Sequence, residues 1–157
     1  IEDSHIEDHV TIKSSTILSS KVGARTTIGP YAYLRPKSVL GEDVKIGDFV
    51  EVKNAEIGNG SKASHLSYIG DAVVGKNVNI GCGVVFVNYD GKNKFKSIVE
   101  DNAFIGSNSN LVAPVTVKEG GYIATGSTVT VDVPEGALCV ARAREVIKEG
   151  WRTKKGL

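Results

Sequence analysis

Aliphatic side chains recur along this chain at every sixth residue. From the N-terminal side the series runs Val10, Thr16, Val22, Ile28, Leu34, Leu40, Ile46, Val52, and near the other end Val99, Ile105, Leu111, Val117, Ile123, Val129. The residue after the aliphatic is often glycine, as in Val22-Gly23, Ile28-Gly29, Leu40-Gly41, Ile46-Gly47, Ile57-Gly58, Ile80-Gly81 and Ile105-Gly106. A helix repeats every 3.6 residues and a flat strand every 2.0, so neither gives a period of six. A short strand followed by a corner does. The aliphatic points inward, the glycine lets the backbone turn without a Cβ clash, and the other positions face solvent. Three such sides close a triangular coil of about 18 residues, and stacked coils bury one aliphatic column. The pattern therefore predicts an all-β parallel β-helix of hexapeptide repeats. A β-sandwich, with turns every 8–12 residues, fits the spacing less well.

The register breaks at defined places. Ile46-Gly47 to Ile57-Gly58 is eleven residues rather than twelve, and Ile69-Gly70 to Val74-Gly75 is five. The polar stretch 88–97 contains Asp90-Gly91 and reads as an excursion loop thrown out from the prism. The repeat is expected to end at Pro134, giving a β-helix domain over 1–133 and a tail over 134–157 that is helical or extended. Within that tail, Ala141 to Lys154 has helix-like composition and one i,i+4 apolar pair, Ile147 and Trp151. Composition agrees with a β-rich chain: 21 Val and 13 Ile stand against 7 Leu, and 18 of 157 residues are Gly. There is no Met, even at position 1, which points to a piece of a longer protein.

A formal net charge of +1 excludes a bulk electrostatic binder of nucleic acid or of an anionic membrane. No apolar run approaches the roughly 20 residues of a membrane span, and no secretory signal is visible, so a cytoplasmic location is expected. In that compartment Cys82 and Cys139 read as free thiols.

Candidate chemistry comes from stacking. Arg35 and Lys53 are 18 residues apart, each after an inward aliphatic, so they should lie one above the other about 4.8 Å apart. Stacked cations repel unless an anion such as phosphate lies beside them; the alternative is two solvated surface cations. Counting 17 residues for the shortened coil puts Cys82 above His65 and Tyr68 above Glu51. That gathers an imidazole, a carboxylate, a phenol and a thiol, with His65 either a general base or a structural histidine. Cys82 as a nucleophile would need His65 as its base; a small filler is the alternative. His5 and His9 lie many coils from His65, so no zinc triad forms within one subunit. Lys92, Lys94, Lys96, Arg142 and Arg144 could meet a polyanion or could simply be solvated.

Several segments carry a resemblance: Tyr33-Leu34-Arg35-Pro36, Ser64-His65-Leu66-Ser67-Tyr68-Ile69-Gly70, Asn77-Val78-Asn79-Ile80-Gly81, Asn88-Tyr89-Asp90-Gly91-Lys92-Asn93-Lys94, Leu111-Val112-Ala113-Pro114-Val115-Thr116 and Lys148-Glu149-Gly150-Trp151. Together they resemble the C-terminal acetyltransferase half of the bacterial bifunctional N-acetylglucosamine-1-phosphate uridylyltransferase/glucosamine-1-phosphate N-acetyltransferase family, among the hexapeptide-repeat acyltransferases. The uridylyltransferase half of that family, with its magnesium site, has no counterpart here. The resemblance implies a left-handed β-helix, a homotrimer and active sites at subunit boundaries. It implies acetyl transfer from acetyl-CoA to the 2-amine of glucosamine 1-phosphate, supplying N-acetylglucosamine 1-phosphate for UDP-N-acetylglucosamine and cell-wall precursors, with no tightly bound cofactor or metal. His65 would be the general base and Glu51 would orient it. Arg35, Lys53, Tyr68, Asn79 and Lys94 would bind the sugar phosphate, and Cys82, Asn88, Tyr89, Ser107, Thr125 and Arg142 the acetyl-CoA. Backbone N–H groups of Gly81-Cys82-Gly83 could hold the oxyanion. Cys82 and Thr125 stand where the family typically has alanine, and Val84-Val85-Phe86-Val87 replaces a Thr-rich stretch. Rival readings are an acyltransferase for another amino sugar, a γ-type carbonic anhydrase, and a non-catalytic trimerisation platform.

Overall fold

In the computed structural model, which describes residues 1–156, strands of two to four residues stack in parallel on three faces. The first face carries seven strands starting at His5–Ile6, the second eight starting at Thr11–Ile12, and the third seven starting at Thr16–Ile17. Each coil crosses all three faces once, giving a left-handed β-helix of about eight turns. The third face shows how the core forms. Ile17 pairs with Leu34, Leu34 with Val52, Val52 with Ile69, and Phe86 with Leu111, which pairs with Val129. Every one of these side chains is at most 1% exposed.

The coil length is not constant. Tyr33↔Glu51 is a step of 18, Glu51↔Tyr68 a step of 17, and Val85↔Asn110 a step of 25, which is one coil plus the excursion loop. The first coil steps by 16, from His5 to Lys21 and from Thr11 to Thr27. Its inward residues are therefore Ile6, Ile12 and Ile17, while Thr16 faces outward, one residue off the expected phase. Tyr89 and Lys94 bridge the loop, and the Asp90 carboxylate accepts the N–H groups of Lys92 and Asn93 at 2.8 and 2.6 Å.

The glycine after most of these aliphatics serves close approach of the next coil rather than a left-handed turn; Gly29, with φ of 101°, is the exception. A Cβ on Gly23 would sit 2.5 Å from the carbonyl carbon of Gly41 in the next coil, so glycine is needed there for close approach. The left-handed residue comes two positions later: Arg25, Asp43, Phe49, Asn77 and Asn108 all have φ between 53° and 59°. A second inward series, two residues before each aliphatic, also keeps the period. It consists of small side chains such as Ala32, Ser38, Val44, Ser61 and Ala103. Its serines tie neighbouring corners, as where Ser61 Oγ donates to the Gly75 carbonyl at 2.7 Å and accepts the Val78 N–H at 2.9 Å.

The column continues past Pro134. Leu138 and Cys139 pair with Tyr122 and Ile123, and Thr128 N–H donates to the Ala141 carbonyl at 3.0 Å. The boundary expected at 133 thus falls inside the last coil, whose step shortens to 16 residues and so leaves the six-residue phase. Beyond it the chain is mostly irregular until a single helical turn, Trp151–Lys154. Ile147 and Trp151 are 85% and 50% exposed, since one apolar pair offers no face to bury. No helix among the described residues is long and apolar enough to cross a membrane.

Phe86 is the bulkiest fully buried side chain, wedged in the coil beside the excursion loop. Phe86→Ala is expected to cost about 3–5 kcal/mol, because neighbouring coils are fixed by their ladders and cannot collapse on the cavity. A lower urea midpoint at constant protein concentration would report it.

Candidate functional site

One edge of the prism, where the second face ends, carries a vertical line of side chains. His65 is the direct ladder partner of Asp48. The register of Ala63 with Ile80, Ile80 with Ile105 and Ile105 with Ile123 continues that line through Cys82, Ser107 and Thr125. The coils press close here: a Cβ on Gly81 would lie 2.6 Å from the Ser107 nitrogen, and one on Gly106 the same distance from the Thr125 nitrogen. Arg142 comes within 3.7 Å of the Cβ position of Gly126. Four of the residues that the resemblance assigns to acetyl-CoA thus run along the edge above His65. Tyr89 is on the loop, exposed, with its hydroxyl donating to the Gly91 carbonyl at 2.6 Å. Cys82 and Cys139 are both free thiols, each partly exposed.

The carboxylate that meets His65 is not Glu51. His65 Nδ1 lies 2.5 Å from Asp48 Oδ1, and that contact holds the Asp48 carboxyl below the usual aspartate range. Glu51 lies past the corner on the third face, directly under Tyr68, and accepts from Arg35 Nη1 at 2.9 Å. The reason is geometric: one coil below position 65 is position 48. Two of the three N–H groups expected at an oxyanion are engaged elsewhere. Gly81 N–H donates to the Ile105 carbonyl at 2.9 Å and Gly83 N–H to the Leu66 carbonyl at 3.0 Å. Both are consumed by the stacking of coils, so neither is free for a reacting oxygen.

The third face holds a cationic cleft of about 350 Å³. Leu34 pairs with Val52, and Arg35 N–H donates to the Val52 carbonyl at 2.8 Å, which stacks Arg35 beside Lys53 as the spacing predicts. Lys37, and Lys94 from the loop, line the same cleft. Contact with the Lys53 ammonium pushes the Lys94 amine below its ordinary value. Four cations lining one cleft, with Lys53 and Lys94 in contact, make a place for an anion. Asn79 is not among them. It lies on the second face, paired with Lys62 and Phe104, so one chain alone does not bring it to the cleft.

Asp71 anchors the loop that carries Lys94. It accepts from Asn54 Nδ2 at 2.6 Å and from Asn88 Nδ2 at 2.5 Å, and Asn88 also reaches the Tyr68 hydroxyl at 3.3 Å. Asn88, which the resemblance assigns to acetyl-CoA, is buried in this network on the side of the cationic cleft. Burial pushes the Asp71 carboxyl up, but the two amides and the Lys53 and Lys94 charges outweigh it and hold the group below the ordinary value of 3.8. A depressed carboxyl adds stability above its unfolded value and loses it as pH falls through the folded one. Loop amides should therefore lose protection relative to their intrinsic exchange rates in acid, below about pH 4. Asp71→Ala should give the same loosening at neutral pH, seen as faster tryptic cleavage after Lys92 and Lys94. Among the described residues, no three His, Cys, Asp or Glu side chains gather as a metal site.

Comparison with known proteins adds three findings. Residues 19–54 match the bacterial transferase hexapeptide family (six repeats). The bifunctional protein GlmU of Clostridioides difficile (strain 630) is 78% identical over 155 residues, covering 99% of this chain and 34% of that protein. GlmU of Alkaliphilus oremlandii (strain OhILAs) is 73% identical over 157 residues, with 100% and 34% covered. The chain thus spans about a third of the length of these relatives. Among solved structures, the polySia specific acetyltransferase NeuO superposes with a TM-score of 0.58 at 16% identity, over 94% of this chain and 76% of that one. LpxA from Acinetobacter baumannii does so with 0.58 at 17%, over 87% and 66%. At such identities the likeness speaks for the fold alone.

Proposed function

We propose, from the premise that this chain is the hexapeptide acetyltransferase part of a GlmU-type bifunctional protein, that it moves an acetyl group from acetyl-CoA to the 2-amine of glucosamine 1-phosphate. The observation that carries this reading is the convergence of Arg35, Lys53 and Lys94 on one cleft, on the face next to the corner bearing His65. A phosphosugar has the charge for the cleft and an amine for the base. Acetyl-CoA would lie along the edge above His65, past Cys82, Ser107 and Thr125.

The chemistry is direct transfer. The neutral amine attacks the thioester carbonyl, a C–N bond forms, and the C–S bond breaks as the tetrahedral intermediate collapses. The proton lost by the amine goes to His65 and from there to the departing sulfur, which leaves as the thiol. Drawing on acetyl-CoA, the reaction belongs in the cytoplasm, and its product is a precursor for UDP-N-acetylglucosamine.

A trimer with sites at subunit boundaries is part of the same proposal. Tyr31, Phe49 and Leu66 follow one another up the corner beside His65, are 62%, 56% and 56% exposed, and Tyr31 and Phe49 stack with ring centroids 5.6 Å apart. All three adopt positive φ, where the same corner of later coils carries Gly83, Asn108 and Gly126. Large apolar side chains at a conformation that disfavours them suit a surface covered by another subunit. Asn79 would then reach the cleft of a neighbour.

The test is incubation of the purified chain with acetyl-CoA and either glucosamine 1-phosphate or glucosamine, following free thiol and product mass. Transfer to the phosphosugar in preference to glucosamine is expected. Equal transfer to both would remove the phosphate from recognition, and transfer to neither would overturn the activity.

A further inference from the structure

We propose that Asp48 is a positioning residue for His65, holding the imidazole with its proton on Nδ1 so that Nε2 presents a lone pair to the substrate amine. This inference rests on the proposed function, in which His65 is the base.

The backbone fixes the pair. His65 ends the strand Lys62–His65 and Asp48 ends the strand Lys45–Asp48, and the two are ladder partners in adjacent coils. Leu66 N–H donates to the Asp48 carbonyl at 2.9 Å, closing the corner just beyond them. The side chains then meet at 2.5 Å between Nδ1 and Oδ1. An ionised carboxylate only accepts hydrogen bonds, so the proton in this contact belongs to Nδ1 and the ring is set in one tautomer. Free histidine has no such preference imposed on it and rotates about two side-chain bonds. The contact removes both freedoms.

The charges around the ring leave Asp48 as its anionic partner. On the strand below, Lys45 shares the outer surface with Asp48 and also lowers its pKa. On its own strand His65 has Lys62 at the far end, and the strand above brings Asn79 and then Cys82. Around the corner, Glu51 is engaged by Arg35 and Tyr68 stacks above it. When Nε2 takes the amine proton, the imidazolium forms against a carboxylate already in place. The Nδ1 proton stays where it was, and no proton passes to Asp48.

Asp48→Ala removes the acceptor and the charge, whereas Asp48→Asn keeps an acceptor oxygen and removes only the charge. Both are compared with His65→Ala and the unaltered chain, by acetyl transfer across pH and by NMR of isotope-labelled histidine. The chain has three histidines, so the His65→Ala spectrum identifies the His65 signals. Asp48→Ala is expected to lower kcat about 10–100-fold with the phosphosugar KM within about threefold, and Asp48→Asn to fall between. NMR should show the Nδ1-protonated tautomer in the unaltered chain and a mixture in Asp48→Ala. A kcat within twofold and an unchanged tautomer would overturn the role of Asp48. Wild-type turnover by His65→Ala would instead overturn His65 as base, and the NMR result would still report whether Asp48 sets the ring.

Discussion

Replacing His65 with alanine is expected to lower kcat for acetyl transfer about 10²–10⁴-fold, with both KM values changed only a few-fold. In the proposed reaction the imidazole takes the amine proton and hands it to the departing sulfur, and it binds neither the phosphate nor the rest of the coenzyme, so its loss belongs to the chemical step. The fold should survive, because His65 projects from a corner and its side chain is 57% exposed. What remains comes from holding amine and thioester together, which needs no base. Thiol release under saturating substrates measures the loss. A variant with unaltered kcat would take His65 out of the reaction.

The repeat architecture was legible because a period of six has few other physical sources, and the polar stretch 88–97 read as a loop, from which the structure returns only Ser97 to a strand, Ser97–Val99. Three features were less visible. Thr16 and Ile17 fit a short strand equally well, so nothing local shows that the first coil is two residues short and that Ile17 is the buried one. Glycine at a corner has two possible uses, close approach and positive φ, and sequence pattern cannot separate them. At Gly23 it is the approach of Gly41 that excludes a Cβ, while Arg25 supplies the left-handed turn. Periodicity is also blind to hand, because a left-handed and a right-handed coil bury the same positions. The second inward series of small residues, by contrast, was present in the pattern: Ala32, Ser38 and Val44 keep step with Leu34, Leu40 and Ile46.

The site divides the same way. Arg35 above Lys53 follows from an unbroken coil of 18, and Tyr68 above Glu51 from one of 17. The count of 17 taken downward from His65 lands on Asp48, and taken both ways from Asp71 it lands on Asn54 and Asn88. Those two columns were therefore within reach of arithmetic, but nothing about an isolated Asp71 in Gly70-Asp71-Ala72 announces a buried carboxylate. The pairing of Arg35 with Glu51 is of another kind. It crosses from one coil to the next on a diagonal, and side-chain length decides it, not register.

That diagonal pair sets the order of effects in the phosphate cleft. Arg35→Ala should raise the KM for glucosamine 1-phosphate about 10–100-fold, with kcat within about threefold. It removes a guanidinium suited to two phosphate oxygens and also leaves the Glu51 carboxylate unpaired at the cleft, where it repels the same anion. Lys53→Ala should raise KM less. A lysine is a point charge without the two-pronged fit of the guanidinium, and Lys94 stays in the cleft to meet the anion. Arg35→Ala combined with Glu51→Gln should recover some of the affinity lost in the single variant, since the repulsion goes while the missing guanidinium stays missing. All of these KM changes should shrink as salt rises, because the cleft is open to solvent and its charges are screened. If Arg35→Ala left KM unaltered at low salt, the phosphate would have to bind elsewhere, and the stacked cations would be solvated surface charges after all.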